Sequence, residues 1–119
     1  SNCDILSFHC IATADGKPML TKDHMKKMKP TSYIINAARG NIVDENDLNE
    51  ALNENLIAGA AVDVFSKEPA KENVLFNNPK VVLTPHIAAS TSEASIVVAE
   101  MVANQISDYL LSGKKLNTV

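Results

Sequence analysis

The chain has 119 residues, an apolar fraction of 45% and a formal net charge of −3. This length allows one small domain or part of a larger one, and the negative charge argues against nucleic acid as a partner, because no basic face is available to neutralise phosphates. There is no apolar run of about 18 residues and no basic-then-apolar leader, so we expect no membrane partner, no secretion and a cytoplasmic location.

The first predicted element is a buried strand over residues 4–11, where a short apolar run precedes a turn signal. Cys3 and Cys10 lie at its two ends, and we expect buried, reduced thiols because two cysteines are too few for a disulfide framework. His9 adjoins Cys10, but a metal site needs about four suitably placed ligands. The sequence offers no second cluster, so we expect no metal.

A short helix is predicted next. Thr21 is a suitable N-cap, Met25 and Met28 share the inner face, and Pro30 follows where the helix must end. Charge patterning favours a solvated helix face, rather than a phosphate-binding patch, for its lysines. These are Lys22, Lys26, Lys27 and Lys29.

Three later strands each lead to a reactive side chain. The strands predicted at 33–38, 60–65 and 81–85 lead to Arg39, Glu68 and His86. Each strand precedes a segment that we expect to be helical, and this alternation predicts an α/β fold with a parallel sheet. Because ligands bind at the carboxyl ends of such strands, we expect the three side chains at one rim.

The segment between the strands predicted at 33–38 and 60–65 is predicted to form a helix. Gly40 allows a sharp turn where a side chain would clash, Asp44 is a good N-cap, and Gly59 is placed to close the helix or its loop. The inward stripe has spacings of three and four residues. It consists of Leu48, Ala51, Leu52 and Leu56.

The last predicted helix covers about four turns or more and ends at Gly113. Ser90 and Glu93 have the spacing of a capping box. A nucleophilic role is conceivable for Ser90, Thr91 and Ser92, but helix capping explains these hydroxyl side chains.

The three rim residues have complementary chemistry. An imidazole can exchange a proton with an alcohol or a carbonyl oxygen, which makes His86 the candidate acid/base. Glu68 can hold one imidazole nitrogen, and Arg39 offers a planar fork for a carboxylate. For Asp63, structural ion pairing and cofactor contact are equally compatible with its position. The residues alone thus indicate acid/base chemistry beside a bound anion.

Three ordered motifs carry a family resemblance. They read INAARG at 35–40, AAVDVF at 60–65 with EP at 68–69, and TPHIAAST at 84–91. Together they resemble the arginine, glutamate and histidine motifs of the D-isomer-specific 2-hydroxyacid dehydrogenases. Residues 91–94 and the tail 117–119 are similar to the members that oxidise D-3-phosphoglycerate, which implies that substrate and a role in serine biosynthesis.

The resemblance implies a hydride transfer between NAD and a D-2-hydroxy acid. It implies that Arg39 binds the substrate carboxylate, that His86 is the general acid/base, and that Glu68 is its partner. Asp63 would contact the nicotinamide carboxamide, and a homo-oligomer is expected. The implied cofactor contacts are His9, Cys10, Ala37, Ala38, Arg39, Asp63, His86 and Ala88. Two positions depart from the family: Ile11 replaces a frequent proline and Ala88 a frequent glycine.

The largest departure is an absence. The only glycines are Gly16, Gly40, Gly59 and Gly113, so no G-x-G-x-x-G follows a strand. We therefore interpret residues 1–119 as a partial NAD-binding domain, the second half of a doubly wound Rossmann-type sheet cut from a larger two-domain enzyme. The residue that distinguishes NAD from NADP lies outside this sequence. The rival hypotheses are a dinucleotide-sensing regulator on the same fold and a stand-alone binding domain.

Overall fold

The computed structural model describes residues 2–117. Thr118 and Val119, which belong to the tail that resembles the family, lie outside the described residues. The chain divides into two compact units, one ending at His86 and one beginning at Ile87.

The first unit is built on a four-stranded parallel sheet with the order β1-β2-β3-β4. This arrangement confirms the predicted α/β class with its parallel strands. The strands are β1 (Ile5–Phe8), β2 (Tyr33–Asn36), β3 (Gly59–Val62) and β4 (Val81–Leu83).

Helices connect the first three strands. Helix α1 (Lys22–Met25) lies between β1 and β2, and a 3-10 turn (Gly40–Ile42) and helix α2 (Glu45–Asn53) lie between β2 and β3. The prediction that a helix follows every strand was wrong for β3, because residues 63–80 form an irregular connection. Its residues are held by side-chain contacts rather than by a helical backbone.

The core lies between these helices and one face of the sheet. The side chains of Met25, Ile34, Leu48 and Leu52 are fully buried there. Leu48, Ala51 and Leu52 of the predicted stripe are buried on α2, whereas Leu56 lies beyond the end of the helix at Asn53 and is half-buried. Burial of a large aliphatic side chain contributes about 1.5–3 kcal/mol to the stability of the folded state. The packing of the helices on this face of the sheet therefore stabilises the unit.

The opposite face of the sheet is open in this unit. Ile5 and Tyr33 are register partners on it and are 61% and 52% exposed. The prediction of a buried first strand was therefore wrong, because β1 pairs with β2 alone among the described residues and its outer face is uncovered. The thiols of Cys3 and Cys10 are exposed as well, which corrects the expectation of buried thiols.

Lys22 departs from the prediction of a fully solvated lysine face. Its ammonium lies 2.8 Å from a Glu50 carboxylate oxygen and 2.7 Å from one of Glu54. These two hydrogen bonds raise the pKa of Lys22 well above its ordinary value, Glu50 having the larger effect. Lys26 and Lys29 form exposed ion pairs with Asp23 and Asp4.

Two glycines are required by close approaches of the backbone. A Cβ atom on Gly40 would overlap the carbonyl group of Phe65, which confirms the predicted clash. Of the two places predicted for Gly59, the end of the helix or the end of its loop, the structure shows the second, since α2 ends at Asn53 and Gly59 is the first residue of β3. A Cβ atom there would lie 3.0 Å from the carbonyl oxygen of Lys80. Asp44 caps α2 as predicted, accepting a hydrogen bond from the Asp47 N–H.

The second unit is the helix α3 (Ser92–Ser112) with its flanking residues. Its N-cap is Thr91, whose hydroxyl accepts from the Ala94 N–H, so the predicted capping box of Ser90 and Glu93 does not form. Gly113 ends the helix in the left-handed conformation, as predicted. Within residues 2–117, no helix combines the length and the hydropathy that crossing a membrane requires.

Candidate functional site

The register of the sheet aligns the ends of its four strands. Phe8 pairs with Asn36, Asn36 with Val62, and Val62 with Leu83. The next residue after each strand therefore lies along one carboxyl edge, where ligands bind in parallel sheets. These edge residues are His9, Ala37, Asp63 and Thr84.

Glu68 and His86 form a hydrogen-bonded pair beyond this edge. The Nδ1 atom of His86 lies 2.7 Å from Oε2 of Glu68. The other carboxylate oxygen accepts from the backbone N–H of Phe65 at 2.9 Å. The bond from Phe65, followed by that from His86, lowers the pKa of Glu68 below its ordinary value. The carboxylate is thus ionised near neutrality and held on both oxygens.

The backbone of His86 has an unusual conformation. Its φ angle is 57°, in the left-handed region that disfavours residues with a Cβ atom. Such residues cluster at functional sites, where the surrounding contacts hold the strained backbone. Here the turn that follows Thr84 and Pro85 directs the imidazole to Glu68.

Arg39 shares a cleft with this pair. The cleft has a volume of about 340 Å³ and includes Arg39, Glu68 and His86 in its lining. The Nη1 atom of Arg39 donates to the carbonyl oxygen of Ala38 at 2.7 Å. The structure thus brings together the guanidinium, the carboxylate and the imidazole that the sequence predicted at one rim.

A second cleft adjoins the Glu68–His86 pair. Its volume is about 640 Å³, and apolar side chains such as Phe76 and Leu83 line it together with Glu68 and His86. His86 and Glu68 thus line both clefts.

Asp63 lies at the sheet edge and is buried, with 6% of its surface exposed. The hydroxyl of Thr84 donates a short hydrogen bond to Oδ1 of Asp63, and the Asp63 backbone N–H donates to the Asn36 carbonyl at 2.9 Å. A buried carboxylate at this edge is suited to accept hydrogen bonds from an amide group. Its position is therefore compatible with the cofactor contact that the sequence left as one of two alternatives.

The turn that carries Arg39 is organised by Asn36, a residue for which the sequence predicted no role. Asn36 is 1% exposed, its amide donates to the Arg39 carbonyl at 2.9 Å, and its amide oxygen accepts from the Ala38 N–H at 3.3 Å. A polar residue in an otherwise apolar strand was the available signal. Ala37 is exposed and Ala38 partly buried on this turn.

The remaining predicted cofactor contacts are His9, Cys10 and Ala88. His9 and Cys10 are exposed after β1, where Ser7 Oγ is 2.9 Å from Nε2 of His9 and the Cys10 thiol is 3.9 Å from the Met19 sulfur. Ala88 is exposed and belongs to the second unit. The contact between Thr84 and Asp63 could not be predicted from the sequence, because a contact across 21 residues has no local signal.

Comparison with protein families finds one match that covers most of the chain. Residues 1–88 match the family model described as D-isomer specific 2-hydroxyacid dehydrogenase, NAD binding domain. The match includes Arg39, Glu68 and His86, so the cleft that these residues line lies within the matched segment.

The names of the curated relatives describe more than one activity. D-3-phosphoglycerate dehydrogenase of Synechocystis sp. is 44% identical over 111 residues, which are 93% of this chain and 20% of that protein. Glyoxylate reductase of Thermofilum pendens is 44% identical over 106 residues, 87% of this chain and 31% of that protein. The chain thus spans about a fifth to a third of the length of these relatives.

A solved structure shows the same architecture. The NAD-complexed D-isomer specific 2-hydroxyacid dehydrogenase from Lactobacillus delbrueckii ssp. bulgaricus is 29% identical, with a TM-score of 0.73, over 96% of this chain and 39% of that chain. This chain therefore corresponds to a part of a larger solved protein.

Proposed function

Because the chain belongs to the D-isomer specific 2-hydroxyacid dehydrogenase family, we propose that the intact protein transfers a hydride between NAD and a D-2-hydroxy acid. The observation that carries this proposal is the cleft of about 340 Å³ in which Arg39, Glu68 and His86 meet. Oxidation of a hydroxy acid needs a group that binds the substrate carboxylate and a base that accepts the hydroxyl proton. Arg39 can supply the first and the imidazole of His86, held by Glu68, the second.

His86 is the general acid/base in this proposal. When Nδ1 donates its proton to Glu68, the tautomer is fixed and Nε2 is left as the proton acceptor. In the oxidation, Nε2 takes the proton of the C2 hydroxyl while the hydride leaves C2 and the carbonyl bond forms. In the reduction, the imidazolium returns that proton to the carbonyl oxygen. The negative charge of the Glu68 carboxylate stabilises the positively charged imidazolium of His86 that forms during the oxidation.

Arg39 binds the substrate carboxylate. A guanidinium forms two parallel hydrogen bonds with a carboxylate, which places the adjacent C2 atom in a defined position. Asn36 supports this role because its amide holds the carbonyl oxygen of Arg39 at 2.9 Å. The substrate would be oriented in the same cleft as the imidazole.

The residues at the carboxyl edge of the sheet are suited to contact the nicotinamide carboxamide of NAD. The buried carboxylate of Asp63, oriented by the Thr84 hydroxyl, can accept a hydrogen bond from the nicotinamide carboxamide. Ala37, Ala38, His9 and Cys10 follow the neighbouring strands, and we propose them, with Ala88, as further contacts. NAD, when bound, would accept or supply the hydride. The glycine-rich turn that binds a pyrophosphate is not in the sequence, so we propose a partial NAD-binding domain.

We propose D-3-phosphoglycerate as the substrate and serine biosynthesis as the role, on the similarity to the Synechocystis enzyme. The second candidate is glyoxylate reduction, which the Thermofilum relative favours. We propose a cytoplasmic location, because two cysteines are too few for the disulfide framework of a small secreted domain. We expect a homo-oligomer.

The test uses the intact protein. NAD with D-3-phosphoglycerate is followed by the appearance of NADH, and NADH with glyoxylate by its loss. Turnover of either acid supports the proposed dehydrogenase activity. The ratio of the two kcat/KM values then shows which acid is the preferred substrate. Binding of NAD without turnover of any 2-hydroxy or 2-oxo acid would favour the rival dinucleotide-sensing regulator.

A further inference from the structure

The segment that carries Glu68 has no regular backbone structure of its own. Residues 63–80 connect β3 to β4, and their described backbone contains neither a helix nor a strand. A loop of this length is ordered only if side chains fix it, because loops otherwise sample many conformations. The position of the Glu68 carboxylate therefore depends on contacts made elsewhere along the loop.

Glu45 supplies three of these contacts from one carboxylate. Its Oε1 atom accepts from the backbone N–H of Ser66 at 2.7 Å, and its Oε2 atom accepts from the Ser66 hydroxyl at 2.8 Å and from the Asn73 amide at 2.8 Å. Glu45 is the first residue of α2, and α2 packs into the core through Leu48 and Leu52. The loop is thus attached to a rigid element on both sides of Glu68.

The contacts continue from this clamp to the imidazole. Ser66 is bonded to Phe65, whose N–H donates to Oε1 of Glu68 at 2.9 Å. The second oxygen of Glu68 is 2.7 Å from His86 Nδ1. The ring of Phe65 also packs edge to face against the ring of Phe76, with centroids 5.9 Å apart. A shift of Ser66 would therefore move the donor that orients Glu68.

We propose that Glu45 is a positioning residue, which sets the geometry of the Glu68–His86 pair by clamping Ser66 and Asn73. The proposal rests on the proposed function, because it assigns no chemistry to Glu45 itself. Ligand-contacting groups must be held within fractions of an ångström, and a displacement of about 1 Å can cost about a hundredfold in rate. Glu45 would act on kcat rather than on cofactor binding.

The test compares Glu45→Gln with Glu50→Gln in the intact protein. Gln keeps the size of Glu but presents an NH₂ donor to groups that are themselves donors. Glu50 is the matched control, because it is on the same helix and its carboxylate bonds Lys22 at 2.8 Å. We expect Glu45→Gln to lower kcat by roughly ten- to a hundredfold and to change KM for NAD by less than about twofold.

Hydrogen exchange gives a readout that is independent of turnover. The Ser66 amide should exchange at least about tenfold faster in Glu45→Gln and at the wild-type rate in Glu50→Gln. Ser66→Ala removes only the hydroxyl bond, and a smaller fall in kcat is expected. This second variant keeps the proposal testable if Glu45→Gln does not fold.

A double-mutant cycle separates this proposal from the proposed function. If Glu45 acts through Glu68, then in a Glu68→Gln background Glu45→Gln should lower kcat by less than about threefold, a clear failure of additivity. Additive effects, or wild-type kcat in Glu45→Gln and Ser66→Ala, would overturn the clamp alone. Wild-type kcat in Glu68→Gln would overturn the clamp and the proposed role of Glu68, whereas the absence of turnover in the wild-type protein would overturn the proposed function itself.

Discussion

The α-carbon of Gly40 packs against the carbonyl group of Phe65 with no room for a side chain. This contact joins the turn that follows Arg39 to the loop that leads to Glu68. Two segments separated in sequence are thereby kept at the distance at which Arg39 and Glu68 line one cleft.

Gly40→Ala should destabilise the protein because the new methyl group must displace the Phe65 backbone. Overpacking of this kind costs about 1–3 kcal/mol. Urea unfolding of the intact protein measures the change, with Gly16→Asn as the control. Gly16 has φ 70° and open space where a Cβ atom would lie, and Asn tolerates this conformation. Equal stability of the two variants would show that the Gly40 contact relaxes freely.

Thr84→Val should weaken both folding and cofactor binding. The valine keeps the shape of threonine but removes the hydroxyl that donates to the buried Asp63 carboxylate. An intramolecular hydrogen bond is worth about 0.5–1.5 kcal/mol, and we expect a loss of that size in unfolding free energy and a higher KM for NAD. Thr84→Ser retains the hydroxyl and serves as the control. Similar values for the two variants would refute the role of the hydroxyl.

Arg39→Lys should lower kcat/KM for the 2-oxo acid by at least about a hundredfold, which corresponds to roughly 3 kcal/mol of transition-state binding. An ammonium keeps the charge but cannot form the paired hydrogen bonds of a guanidinium. Steady-state kinetics with the 2-oxo acid and NADH provide the measurement. Unchanged kinetics would mean that the substrate carboxylate is bound elsewhere.

The stability of the protein should depend on Glu68 in acid. The hydrogen bond from Phe65, followed by that from His86, lowers the pKa of Glu68 in the folded state. The folded state thus favours the ionised form, so this stabilisation is complete above the unfolded-state pKa and is lost as pH falls through the folded-state pKa. The difference in unfolding free energy between wild type and Glu68→Gln should shrink over that window. A difference that stays constant with pH would contradict the assignment.

The sequence predicted the features that depend on local order along the chain. Strand-like runs that end at Arg39 and His86 are sufficient to place both residues at one sheet edge, because parallel strands share that edge. The clash at Gly40 was confirmed, and so was the stripe of α2 at Leu48, Ala51 and Leu52, though not at Leu56 beyond the helix end.

The features that the sequence did not reveal depend on contacts between distant segments. Glu45 meets Ser66 across 21 residues and Asn73 across 28, and no periodicity marks such a pair. Cys10 is exposed beyond the end of β1 at Phe8, and a local apolar run does not mark where a strand ends. The choice of Thr91 over Ser90 as the N-cap rests on backbone angles that both hydroxyl residues can adopt.

The kcat of His86→Ala in the intact protein, measured with NADH and the preferred 2-oxo acid, tests the central claim most directly. If the imidazole held by Glu68 at 2.7 Å is the general acid/base, kcat should fall by about 10²- to 10⁴-fold. NAD binding, measured by calorimetry, should weaken far less than kcat falls, because His86 is one of several proposed cofactor contacts. A variant that retains most of its turnover would contradict the account and remove His86 from the reaction.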